Sequence, residues 1–200
     1  MVKMYNSALK GAKNEHDVEP CMRFVADKGV ILTSDIVTQD LPKEYIDADV
    51  LYTEAPFPAG FDYFNEKAGV DDDRSYDNLA KAISGIIELQ IPTFLVSGKI
   101  MLNKLTDEDN ITEIYLSGRG CKVYLSIFNV KELPNVSIDC RSTDKLIKSL
   151  ALNYDRIGDF MCGYGQNVLD FMDYGGKGFV ASDHDSRAIG VFKKRLEKFI

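Results

Sequence analysis

Four residues have the types and spacing of a nucleotide site: Asp159, Gly163, Gly165 and Asp183. Residues 157–165 read I-G-D-F-M-C-G-Y-G, and about twenty residues later the chain reads G-F-V-A-S-D, ending on Asp183. The pattern is a short buried strand, a glycine turn, a helix, and a second strand that ends in an acid. Glycine lets the backbone approach an adenosine-bearing ligand where a Cβ would clash. The acid accepts hydrogen bonds from ribose hydroxyls. A tight strand-to-helix turn without a ligand would use the glycines but has no need of Asp183. A nicotinamide-dependent enzyme would use the acid, but G-x-G-x-x-G requires glycine where this chain has Val168. A second candidate precedes the first in sequence, Tyr52-Thr53-Glu54-Ala55-Pro56-Phe57. Alone it reads as an ordinary strand-end loop. Its place at the end of a predicted strand, before an aromatic-rich stretch, makes it a candidate site.

The elements that must position these residues follow from periodicity and punctuation. Residues 1–16 have little pattern and read as a loosely docked arm. Pro20 to Ala26 reads as a short helix, with proline in its first turn. Val30 to Thr33 is a β-branched, apolar strand that ends at Ser34-Asp35, and Ala48 to Thr53 is a second strand. Residues 58–72, rich in Gly, Pro, Asp and aromatics, read as a long loop. Ser75 to Gln90 is a helix, with Leu79, Ala82, Ile83, Ile86 and Ile87 on one stripe. Pro92 breaks it, and Thr93 to Ser97 is the next strand. A polar loop is expected at 104–112. Glu113 to Ser117 and Cys121 to Phe128 flank Gly118-Arg119-Gly120 as a hairpin. Thr143 to Leu152 is a helix. The nucleotide unit follows, with a strand to Met161, a helix over 166–173, a strand over 178–182 and a last helix from 186. Strands and helices alternate, so the class is α/β with a mostly parallel sheet and an antiparallel hairpin at one edge.

Composition narrows the function classes. The chain has 200 residues, 45% of them hydrophobic, which suits one α/β domain with a full core. No apolar run approaches the ~20 residues of a membrane span. Met1-Val2-Lys3-Met4 does not lead into an apolar stretch, so a cytoplasmic protein is expected. Cys21, Cys121, Cys140 and Cys162 are scattered, and the histidines are His16 and His184 alone. Neither a disulfide framework nor a metal site is expected. A formal charge of −7 gives weak long-range attraction to nucleic acid, so DNA contact would need a local basic patch. Lys193, Lys194, Arg195 and Lys198 cluster on the last helix, where a solvated face is the plainer reading.

Together the two motifs resemble those of the amino-group DNA methyltransferases, which act on N6 of adenine or N4 of cytosine. Asp159-Phe160-Met161-Cys162-Gly163-Tyr164-Gly165 is similar to that family's D-P-F-C-G-S-G, and Phe179-Val180-Ala181-Ser182-Asp183 is similar to its F-I-G-I-D. Glu54-Ala55-Pro56-Phe57 stands where the family has [D/N/S]-P-P-[Y/F/W], with Glu for the acid and Ala for the first proline. Val30 to Pro42, with Asp35 and Leu41-Pro42, resembles the opening of members in permuted order, whose catalytic half comes first. The resemblance covers roughly residues 29–198.

The resemblance implies a Rossmann-like S-adenosylmethionine-dependent methyltransferase fold, while length and composition lead to the expectation of a single domain over 1–200, without the separate target-recognition domain of larger members and without a metal. It implies S-adenosylmethionine as cofactor, held by Asp35, Asp159, Phe160, Met161, Gly163, Gly165 and Asp183. Asp159 would serve the charged end, Asp183 the ribose and Asp35 the adenine amino group. The acceptor would be an exocyclic amine in DNA, foremost N6 of adenine, reached directly or through a partner recognition subunit. Its lone pair is delocalised into the ring. Glu54 and the Ala55 carbonyl would each accept one amino hydrogen, directing that lone pair at the methyl group. Phe57 would stack on a base swung out of its helix. Cys162 would be a small packed residue beside the turn. Phe61, Tyr63 and Phe64 would either stack on unpaired bases or form a lid. The other function class is a catalytically inactive relative that binds the cofactor or serves as a partner subunit.

Overall fold

The computed structural model describes residues 19–69, 75–105, 114–116, 123–131 and 143–199. Among them, eight strands make one sheet: β1 Arg23–Ala26, β2 Gly29–Thr33, β3 Val50–Glu54, β4 Thr93–Ser97, β5 Ile114–Leu116, β6 Val123–Phe128, β7 Arg156–Asp159 and β8 Gly178–Asp183. The helices are α1 Pro58–Ala68, α2 Tyr76–Ile87, α3 Lys99–Leu105, α4 Thr143–Asn153, α5 Gln166–Asp173 and α6 Ser186–Phe199, with a 3-10 turn at Lys43–Asp47. The lateral order is β1-β2-β8-β7-β3-β4-β6-β5. The inner pairs β2–β8, β8–β7, β7–β3 and β3–β4 are parallel. The outer pairs β1–β2, β4–β6 and β6–β5 are antiparallel.

Parallel inner strands are covered on both faces, so they read as continuous apolar runs. Every residue of β4 and β8 is buried. On one face Val50, Tyr52, Ile157 and Phe179 pack against Leu146 and Ile147 of α4, Phe171 of α5 and Phe192 of α6. On the other face Leu51, Leu95 and Val180 pack against Tyr45, Phe61 of α1, Ile83 of α2 and Met101 of α3. The architecture is therefore three-layered, α/β/α.

Connectivity places the crevice. From β3 the chain passes through α1 and α2 to β4 on one side, while from β7 it passes through α5 to β8 on the other. Strand order reverses between β7 and β3, which is where open α/β sheets bind ligands, beyond the carboxyl ends. The expected placement of the glycine-turn strand, between strands 178–182 and 48–53, is the one found.

Several local expectations need correction. Pro20 to Ala26 is not a helix, because Arg23–Ala26 is an edge strand pairing Arg23 with Leu32 and Ala26 with Gly29. Its alternating exposed and half-buried residues have period two, and Asp27-Lys28 makes the turn. Residues 58–68 of the expected loop form α1, started by Pro58 at its first turn and stopped by Gly69 at φ 69°. Lys104 and Leu105 belong to α3 rather than to a polar loop. The 178–182 strand extends to Asp183, the 48–53 strand is shifted to end at Glu54, and the 157–161 strand stops at Asp159. The arm at 1–16, the acidic run Asp71-Asp72-Asp73 and the turn Gly118-Arg119-Gly120 lie outside the described residues, although β5 and β6 form the expected antiparallel pair.

Candidate active site

Three acids stand at the carboxyl ends of the inner strands, Glu54 on β3, Asp159 on β7 and Asp183 on β8. Pairing of Val50 with Ile157 and Leu51 with Gly158 brings the ends of β3 and β7 side by side. Thr53 Oγ1 donates to Asp159 Oδ1 at 3.0 Å, and the Met161 N–H donates to the same oxygen at 3.2 Å. Asp159 is only 1% exposed, and its Oδ2 is buried without a hydrogen-bond partner. Burial raises this carboxyl to about 7, and the charges of Glu54 and Asp183 add to the rise while the Thr53 and Met161 bonds oppose it. Beneath it the buried Tyr45 hydroxyl donates to the Asp159 carbonyl at 2.8 Å and lies 2.9 Å from Ser182 Oγ, tying the ends of β7 and β8 together.

The turn after β7 is held from several sides. Asp183 Oδ2 accepts from the Gly163 N–H at 2.8 Å, and Oδ1 accepts from the Asp185 N–H at 3.0 Å. Asp183 is buried, which works against its charge, but His184 and these N–H donors outweigh burial and hold it below the usual carboxylate range. Gly163 and Gly165 adopt φ of 52° and 74°. A Cβ on Gly163 would meet nothing within 4 Å, whereas one on Gly165 would lie 2.2 Å from Phe192 Cδ2. Gly163 thus faces open space and Gly165 admits the α6 ring. Arg195 of α6 donates to the Tyr164 carbonyl at 2.7 Å, and Lys67 at the end of α1 donates to the Tyr164 hydroxyl at 3.1 Å.

The second motif leaves β3 directly. Glu54 is half-buried, and its Oε1 accepts from the Tyr52 hydroxyl at 2.9 Å. Ala55 is buried, and its N–H donates to the Val96 carbonyl at 2.9 Å. The Pro56 carbonyl accepts from the Tyr76 hydroxyl at 2.8 Å, anchoring the motif to α2. Phe57 is the residue before α1, and its ring lies against Gly98, where a Cβ would come within 2.5 Å of Phe57 Cε1.

The site residues expected from sequence fall into three groups. Glu54, Ala55, Asp159, Gly163 and Asp183 cluster around the β3, β7 and β8 carboxyl ends. Asp35 lies in the turn after β2, and its carboxylate accepts from the Val37 N–H and the Thr38 hydroxyl, at 3.1 and 2.6 Å. Phe160 is a core residue, 1% exposed within the layer that contains α2, while Met161 is half-buried beside it. Cys162 is buried in the core, as expected for a packed residue, and burial pushes its thiol well above the usual range. Sequence reading gives no site role to Tyr52, Thr53 or Arg195, although it names them, and passes over Tyr45 and Lys67. Tyr52 had a usable signal, because residues two apart on a strand share a face. Tyr45 and Arg195 had none, since their contacts cross the fold. Among the described residues no cluster of His, Cys, Asp and Glu could hold a metal, and no helix is long and apolar enough to cross a membrane.

No profile of a known protein family matches the chain, and no curated protein matches it in sequence. Solved structures do. M1.HpyAVI superposes with a TM-score of 0.53 over 84% of this chain and 98% of its own, at 13% identity. The PvuII DNA methyltransferase, described as cytosine-N4-specific, superposes with a TM-score of 0.51 over 92% of this chain and 94% of its own, at 8% identity. TTHA0409 of Thermus thermophilus gives 0.50 over 85% and 94%, at 10% identity. Likeness at such low identity is one of architecture, and in architecture the chain has the mostly parallel sheet and flanking helices of the S-adenosylmethionine-dependent methyltransferase fold.

Proposed function

We propose that this protein transfers the methyl group of S-adenosylmethionine to an exocyclic amine of a DNA base, N6 of adenine ahead of N4 of cytosine. The observation that carries the reading is that Glu54 and Asp159 end adjacent parallel strands, β3 and β7, where the strand order reverses. The residues present fit the cofactor. Asp159 Oδ2 is a buried acceptor with no partner, suited to a positively charged group. Gly163 leaves open the space a side chain would fill. Asp159, Met161, Gly163 and Asp183 would hold the cofactor, which supplies a methyl group on a sulfonium cation. Asp183 does two jobs here, fixing the Gly163 N–H and offering its remaining lone pairs to ribose hydroxyls.

The chain's own part in the transfer is electrostatic and geometric. Glu54 accepts one hydrogen of the amine and the Ala55 carbonyl accepts the other, which directs the nitrogen lone pair. The charge of Glu54 stabilises the positive nitrogen as it develops, an interaction stronger in the transition state than before it. Phe57, whose ring edge is held against Gly98, would stack on the base. No covalent intermediate is needed.

Two measurements test the reading. Calorimetry with S-adenosylmethionine and with its demethylated product should show binding. Radiolabelled methyl transfer to mixed-sequence DNA, followed by base analysis, should yield N6-methyladenine. N4-methylcytosine instead would correct the base. Binding without transfer to DNA, RNA or nucleosides would replace the enzyme with a cofactor-binding partner subunit. Absence of binding in folded protein would end the reading altogether.

A further inference from the structure

We infer that Tyr52 is a positioning residue that holds Glu54 in place for the transfer, making the longer acid of this chain a working substitute for a shorter one. This rests on the function proposed above. Glutamate carries one more methylene than aspartate, hence one more rotatable bond and a carboxylate displaced by roughly 1 Å. Left alone, such an arm samples several rotamers. Here it does not stand alone. Tyr52 and Glu54 lie two residues apart on β3 and so share a face of the sheet. The Tyr52 ring has 0% exposure, packed in the core layer with Phe94 and Ile157. That packing fixes where its hydroxyl can be, and the hydroxyl donates to Glu54 Oε1 at 2.9 Å. A rigid donor thus selects one position of a flexible acid. A carboxylate has two oxygens, so Oε1 can keep the tyrosine while Oε2 accepts from an amine. The next residue does the same on the neighbouring acid, since Thr53 Oγ1 holds Asp159 Oδ1. Consecutive residues of one central strand therefore set the carboxylates of Glu54 and Asp159.

The test is Tyr52→Phe, which removes only the hydroxyl. Transfer to DNA should fall about 10- to 100-fold in kcat, the range expected for a misplaced catalytic group. The KM for S-adenosylmethionine and its calorimetric affinity should stay unchanged, a split that a general loss of structure would not produce. Glu54→Asp should also lower kcat, because the shorter acid cannot reach the hydroxyl. Adding Tyr52→Phe to Glu54→Asp should then cost nothing further, the non-additivity of residues that act as a unit. If Tyr52→Phe fails to fold, Glu54→Asp decides alone, and equal or higher kcat overturns the inference. Equal kcat in a folded Tyr52→Phe variant overturns it while leaving the proposed function standing. A faster Tyr52→Phe variant overturns it too, by showing that the bond restrains Glu54 rather than aiming it. Wild-type protein that transfers no methyl group overturns the proposed function and this inference together.

Discussion

Asp159 is folded with its carboxyl raised to about 7 by burial, although Thr53 and the Met161 N–H bond to it. Unfolded, it would titrate at its ordinary value near ~4. The folded state therefore holds a proton that the unfolded state has released, and stability falls as pH rises from about 4 to about 7, then levels off. The groups around it share that effect unequally. Glu54 and Asp183 push the same way, while Asp183 itself, held low, contributes stability that is lost only as pH falls below the usual carboxylate range. Asp159→Asn keeps an oxygen for Thr53 and removes the charge. Urea unfolding should find the variant more stable than wild type at pH 8, by about 1–3 kcal/mol, with the difference shrinking toward pH 5. Equal pH dependence in both proteins would show that the raised carboxyl is elsewhere. Ala55 carries a second residue-scale prediction. Where the resembling family has proline, this chain uses the Ala55 N–H to reach the Val96 carbonyl. Ala55→Pro deletes that donor and strands a buried carbonyl, so thermal unfolding should register a loss of about 1–3 kcal/mol rather than a stiffer turn. Sequence alone could flag Ala55 as a departure from the family pattern. It could not reveal that the backbone had put the freed N–H to use.

Elements with strong local signals were legible, and those that depend on partners were not. The stripe Leu79, Ile83 and Ile86 and the break at Pro92 mark α2 and β4 by local pattern, with no tertiary contact needed. The glycine unit was read almost residue by residue, because β7, α5, β8 and α6 each carry their own punctuation. By contrast, α1 hides its helix behind Gly60 and several aromatics. Its stability comes from Phe61, which packs edge-on to Tyr76 at 5.8 Å, and from Lys67 on Tyr164, contacts that cross from one element to another. Folding of α1 also reorganises the aromatic stretch. Phe61 goes into the core, while Tyr63 and Phe64 remain 47% and 40% exposed, packed edge-on to each other. The glycine turn itself tests whether its two glycines are there for the same reason. Gly165→Ala brings a Cβ onto the Phe192 ring and must hold φ 74°, so it should destabilise the fold by about 2–4 kcal/mol. Gly163→Ala meets no atom and carries only the left-handed backbone penalty, about 1–2 kcal/mol. Its methyl group, however, enters the space proposed for the cofactor. Calorimetry should find binding weakened in Gly163→Ala well beyond what its small stability change explains. If the two variants lose stability equally and Gly163→Ala binds normally, the open space beside Gly163 is not the ligand site.

At the scale of the whole molecule, the crevice joins the two halves of the chain. β3 arrives from the first half and β7 from the second, and Thr53–Asp159 is the side-chain bond between their ends. A ligand seated there contacts both halves, so its binding free energy adds to the stability of the entire sheet rather than to one loop. At a ligand concentration of 100 times Kd the gain is about 2.7 kcal/mol, which for a chain of this size raises Tm by roughly 5–10 °C. The buried acid gives that shift a pH signature. A cation can pair with Asp159 only when its carboxyl is ionised, so below about 7 each binding event must also expel a proton. Affinity for S-adenosylmethionine should therefore drop by about tenfold between pH 8 and pH 6, and the Tm shift at fixed ligand should shrink with it. Asp159→Asn tests the assignment. If Asp159 is the acceptor, the variant binds weakly at every pH and its Tm shift no longer depends on pH. If instead the variant keeps a pH-dependent shift, the proton belongs to another group, and the charged end of the ligand lies away from Asp159.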